Sequence, residues 1–123
     1  MTIYALSSGP GISGIAVIRV SGAKTKEVIS SLTNSNVPKA RVATLKKIIN
    51  PENGELIDEG LLIFFKAPNS YTGEDMAELH VHGSKAVVHE ILTVLERFNG
   101  CRLAEPGEFT KIAFQNNKIN LLK

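Results

Sequence analysis

Hydrophobic and polar positions change period several times along this chain, and each change marks an element. Residues 74–82 alternate strictly: Asp75, Ala77, Leu79 and Val81 fall on one, mostly apolar side, with Glu74, Met76, Glu78, His80 and His82 on the other. That is the period of a half-buried strand. Residues 3–8 predict a short strand that stops at Gly9-Pro10-Gly11, and the β-branched run 15–20 predicts a second, largely buried one. Val28, Ile29 and Leu32 set one side of a helix of about ten residues, closed by the turn-rich stretch 33–38. Residues 41–50 and 56–67 predict two strands joined through Pro51-Glu52-Asn53-Gly54, where Asn-Gly is a hairpin signal through its type I′ turn. Leu61 to Phe65 is apolar on both faces and predicts a central strand. Val87, Val88, Ile91, Leu92, Leu95 and Phe98 recur at helical spacing, with Ser84 placed as N-cap and Gly100 as the glycine just past the helix end. A short strand at 101–104 and a helix around Phe109, Ile112 and Ala113 complete the chain.

The resulting order, β-β-α-β-β-β-α-β-α, predicts an α+β fold: a mixed sheet of about five to six strands with three helices packed on it. At 123 residues there is room for one domain with its own core. The apolar stretch 119–123 carries no cap or turn residues and reads as the start of a following segment.

Charge and cysteine content narrow the chemistry. A net charge of +2, with the basic residues scattered, is no nucleic-acid footprint. Cys101, the sole cysteine, rules out an internal disulfide and a thiolate zinc site, and its setting reads as a small buried hydrophobe. No run approaches the roughly 18 apolar residues of a membrane span, and the first residues lack the layout of a signal peptide. The expected setting is the cytoplasm, away from membranes.

Gly9-Pro10-Gly11-Ile12-Ser13-Gly14 matches G-x-G-x-x-G, but it leads into the β-branched run at 15–20 rather than a helix. The dinucleotide reading requires a helix N-terminus at that point, so a strand-to-strand connection accounts for the glycines better. No P-loop pattern occurs. Arg19 interrupts an apolar strand; it either reaches solvent at the strand edge or meets a partner, and the pattern alone leaves both open. Glu78, His80 and His82 at i, i+2, i+4 have a spacing that zinc could use, although no fourth ligand is evident, and a structural or ligand-facing polar row is the better reading. A carboxylate such as Glu78 can accept two parallel N–H bonds from an amidine-like edge such as that of a pterin, and an arginine or lysine can hold a ligand's acidic tail. Lys118 reads by default as a solvated surface lysine.

Three blocks, GPGISGIAVIRVSG at 9–22, SYTGEDMAELHVHG at 70–83 and PGEFTKIAFQNNK at 106–118, together resemble the N-terminal domain of the tRNA modification GTPases MnmE, also called TrmE. The blocks cover essentially the whole chain in the family's order and spacing. The resemblance implies a domain at 1–118, with 119–123 beginning a helical domain. It implies a fold similar to a folate-binding domain of aminomethyltransferases, pairing with a second copy, and binding of 5-formyltetrahydrofolate or another tetrahydrofolate derivative near the pair's interface. Carried over by position, the folate contacts are Arg19, Glu78 and Lys118. The resemblance further implies a partnership with MnmG and modification of the wobble uridine of tRNAs, with GTP, magnesium and potassium bound by a GTPase domain outside this chain. Glu105 and Ile112 depart from the family's pattern where basic residues are common near Lys118, which loosens the expected hold on an acidic tail. Two other readings compete: a fragment of a folate-dependent aminomethyltransferase-like protein, and an interaction domain without a ligand. The chain offers no activated nucleophile, metal cluster or P-loop, so catalysis by this chain alone is not expected.

Overall fold

The computed structural model describes residues 1–7 and 14–118. Its elements are β1 (Thr2–Leu6), β2 (Ile15–Ser21), α1 (Thr25–Thr33), β3 (Thr44–Ile49), β4 (Leu56–Phe65), β5 (Met76–His82), α2 (Lys85–Glu96), β6 (Cys101–Leu103) and α3 (Glu108–Gln115). The six strands form one sheet in the order β3-β4-β5-β2-β1-β6. All neighbours are antiparallel except β1 and β6, whose parallel pairing makes the sheet mixed. The α+β architecture expected from the pattern is the one observed. The glycine loop 8–13 and the tail 119–123, for which a strand connection and a following domain are expected, lie outside the described residues.

Alternation decides which side of the sheet is dry. Ala16, Ile18 and Val20 of β2, Leu62 and Phe64 of β4, and Ala77, Leu79 and Val81 of β5 join one core with Val28, Ile29 and Leu32 of α1 and Ile91, Val94 and Leu95 of α2. Ile18, Leu62 and Leu79 are fully buried, and such burial contributes about 1.5–3 kcal/mol per large aliphatic side chain. Thus α1 and α2 cover one face. Helix α3 is tied elsewhere: Asn116 Nδ2 donates to the Thr72 carbonyl (2.8 Å), and the hydroxyls of Tyr71 and Thr110 lie 3.0 Å apart.

Two local expectations are corrected. The β3–β4 connection is a hairpin, but its turn is not type I′. Gly54 has φ +75° while Asn53 is not left-handed. Buried Asn50 organises the turn, accepting at its carbonyl from Gly54 N (2.7 Å) and at its side chain from Glu52 N (3.0 Å). Helix α2 starts where expected, with Ser84 Oγ accepting from Val87 N (3.1 Å), but it ends at Glu96 with Arg97 as cap. Gly100 (φ +78°) serves the turn into β6 instead, because Arg97 N and Phe98 N tighten the last turn onto the Val94 and Leu95 carbonyls.

Gly60 is needed for another reason. A Cβ there would stand 2.2 Å from the His80 carbonyl oxygen, so β4 passes β5 with no room for a side chain.

Candidate functional site

The face of the sheet opposite α1 and α2 carries the chemistry. The β2–β5 register sets Arg19 directly across from Glu78 and Val17 across from His80, while the β4–β5 register sets Ile63 across from Glu78 and Leu61 across from His80. Both readings of Arg19 are thereby resolved in favour of a partner. Arg19 Nε (3.2 Å) and Nη2 (2.9 Å) both donate to Glu78 Oε2, and His80 Nε2 lies 3.0 Å from Glu78 Oε1. The Glu78 side chain is only 18% exposed, against 30% for Arg19, so the carboxylate has lost most of its water and depends on these partners. Burial alone would push the Glu78 carboxyl up. The hydrogen bonds and charges of His80 and Arg19 outweigh it and hold the group below the usual carboxylate range. The site therefore presents an ionised acceptor at neutral pH.

The loop between β4 and β5 is stapled beside this pair. Ser21 Oγ donates to Glu74 Oε1 (2.9 Å) and lies 2.8 Å from the hydroxyl of Thr72, which is fully buried. Asp75 fixes both ends of the same loop: its carboxylate accepts from Ala67 N (2.9 Å) and its carbonyl from Gly22 N (3.0 Å) and the Thr25 hydroxyl (3.0 Å). Ser70 Oγ donates to the Glu74 carbonyl.

The remaining residues singled out from the sequence are distributed differently. Lys118 does not bond Arg19 or Glu78; its Nζ donates to the Pro68 carbonyl (3.0 Å), and it lines a cavity beside the stapled loop. The row Glu78, His80, His82 splits. His82 turns away to Asp58, with Nδ1 2.8 Å from Oδ1 and its backbone N donating to Oδ2 (2.8 Å). Among the described residues no three His, Cys, Asp or Glu side chains gather as a metal site would need. No described helix is long and apolar enough to cross a membrane. Cys101 is half-buried against the core, and burial raises its thiol.

Sequence reasoning named His80 only as part of the row and did not single out its bond to Glu78. The signal was available, because His80 follows Glu78 by two on the same face. Arg41, which lines the same cavity as Lys118, was missed. It sits in an irregular stretch with a left-handed backbone (φ +65°) that no periodicity foreshadows.

Comparison with known proteins shows the family. The family model described as GTP-binding protein TrmE N-terminus matches residues 2–118. The chain is 63% identical over 123 residues to the tRNA modification GTPase MnmE of Pelagibacter ubique, covering all of this chain and 28% of that protein. It is 50% identical over 120 residues to the proteins of the same name from Brucella anthropi and Rickettsia bellii, covering 98% of this chain and 27% of each. The chain thus spans little more than a quarter of the length of these relatives. Matched by the family model over 2–118 and by these relatives along its length, the chain belongs to the TrmE N-terminal family, the N-terminal part of the tRNA modification GTPases MnmE.

Proposed function

We propose that this chain is the tetrahydrofolate-binding and pairing module of a cytoplasmic GTPase that, together with MnmG, modifies the wobble uridine of tRNAs. The observation that carries the reading is the half-buried Arg19–Glu78 pair on the sheet face opposite α1 and α2. An ionised carboxylate with one oxygen held by arginine and the other by a neighbouring histidine is a pre-oriented acceptor. A pterin's 2-amino and N3 hydrogens approach as two parallel donors, one taking Oε1 in place of His80 and the other bonding Oε2 beside Arg19. The backbone positions of Arg19 and Glu78 are set by sheet register rather than by a loop, so little ordering is required on binding. Arg19 and Lys118 serve the anionic or carbonyl parts of the ligand. The ligand is 5-formyltetrahydrofolate or a related tetrahydrofolate; GTP, magnesium and potassium belong to the parent protein.

Charge-assisted bonds contribute about 1.5–3 kcal/mol each, so Glu78→Ala is expected to weaken 5-formyltetrahydrofolate binding tens-fold or more in calorimetric titration. Unchanged affinity would remove Glu78 from the site.

Pairing with a second copy draws support from the same face. Leu45 and Leu61 face each other across β3 and β4 and are 62% and 42% exposed, an apolar couple that a second copy would cover. Sedimentation velocity over a concentration series should show a dimer that Leu61→Asp converts to monomer. A wild-type monomer at high micromolar concentration would leave the folate reading standing without the pairing.

A further inference from the structure

Beside the stapled loop lies a cavity of ≈ 630 Å³ lined by Arg41, Phe65, Asn69, Ser70, Tyr71 and Lys118. Its two cations are held in the same way. Arg41 Nη1 donates to the Asn69 carbonyl and Lys118 Nζ to the Pro68 carbonyl, each at 3.0 Å, so adjacent carbonyls of one turn anchor both. Neither forms an ion pair with a carboxylate among the described residues. A carbonyl orients a cation without neutralising it, and most of each group's donors remain free: an arginine has five N–H groups and a lysine three. The Arg41 guanidinium also lies 5.3 Å from the centroid of the Phe65 ring, a second support that leaves its charge intact.

The cavity adjoins the face that bears Glu78. Ile63 sits directly across from Glu78, and Phe65 is two residues further along β4 on the same face, a step of roughly 6.5 Å. A ligand anchored at Glu78 and extending along β4 therefore runs onto Phe65 and then between Arg41 and Lys118.

We infer that Arg41 and Lys118 form a dicarboxylate subsite that receives the glutamate end of the folate whose pterin Glu78 reads, with Arg41 as a binding residue in its own right. The inference rests on the folate reading above and adds the part of the ligand and the residue that holds it. Two uncompensated cations match the α- and γ-carboxylates of a glutamyl group. Phe65 and Tyr71 in the cavity wall offer ring faces to the aminobenzoyl spacer that precedes it.

The test compares two ligands on the full chain by calorimetry: 5-formyltetrahydrofolate, and the same molecule ending at the benzoate without glutamate. Arg41→Gln should weaken the first about tenfold and leave the second unchanged. Arg41→Lys should keep most of the difference between the ligands, while Glu78→Ala should weaken both. Raising salt should erode the preference of the wild type for the glutamyl ligand, because exposed charges are screened. Equal effects of Arg41→Gln on both ligands, or none on either, would overturn the subsite. So would a wild type that binds both ligands alike, and that result leaves the folate reading intact. A wild type that binds neither ligand ends both proposals. Arg41→Gln that spares both ligands yet weakens tRNA binding would reassign the two cations to phosphate.

Discussion

On the side of β5 that meets the helices, Ala77 and Leu79 are fully closed off from solvent, and α1 and α2 supply the apolar groups packed against them. On the other side of the same strand Glu78 and His80 keep some contact with water and bond each other and Arg19. One β-strand thus serves two environments through the alternation of its side chains, with no change in backbone. The first side supplies the apolar core shared with the helices, and the second carries the half-buried polar pair. A one-residue slip of β5 against β2 would exchange the two, so the packing of Leu79 also enforces the Arg19–Glu78 register.

Substitutions at adjacent positions should separate the two sides. Leu79→Ala empties a fully buried site and should cost about 2–5 kcal/mol in urea unfolding, carrying ligand binding down with the fold. Gly60→Ala probes the strand crossing itself. With the His80 carbonyl 2.2 Å from the added Cβ, overpacking of about 1–3 kcal/mol is expected, together with a disturbed His80. Glu78→Ala strands the half-buried Arg19 and should cost about 1–3 kcal/mol, less than Leu79→Ala, even as folate affinity falls. A stability loss at Glu78 equal to that at Leu79 would break the comparison.

The smallest expected effect concerns acid. Arg102 grips Glu108 side-on, with Nη1–Oε1 at 2.7 Å and Nη2–Oε2 at 2.5 Å, and Glu105 N donates to the same carboxylate (2.9 Å). The arginine bonds, followed by the backbone bond, pull the Glu108 carboxyl down to about 2 from a usual 4.5. Its folded value is depressed, so its contribution is complete above pH 4.5 and is lost as pH falls from there toward 2. Glu108→Gln should flatten that limb of an acid-unfolding curve and leave the neutral-pH folate affinity unchanged. The contrast with Arg19 is instructive. Arg102 engages both carboxylate oxygens of Glu108, whereas Arg19 places two donors on one oxygen of Glu78 and leaves the other to His80.

Much of the fold could be read from the residues because its determinants are local. Strict alternation located β5, β-branched and apolar runs located β2 and β4, apolar spacing located α1 and α2, and Ser84 marked the start of α2. What periodicity could not supply were the ends set by turns. The Asn50-centred hairpin and the tightened last turn of α2 depend on hydrogen bonds that compete with the simpler motifs. At the site, Arg19 and Glu78 share a face by alternation, but their contact needs β2 and β5 to be neighbours, and spacing alone does not state which strands pair. Arg41 was invisible because its place in the cavity follows from one left-handed residue in a loop.

Register across β2 and β5 unites residues that are 59 positions apart in the chain. No short peptide from this protein contains both halves of the pair, so the proposed folate site would exist only once the middle of the sheet has assembled. A ligand held there has nothing equivalent to grip in the unfolded ensemble. Its whole binding free energy then counts toward the native state, and the melting temperature should climb with the logarithm of ligand concentration well above Kd.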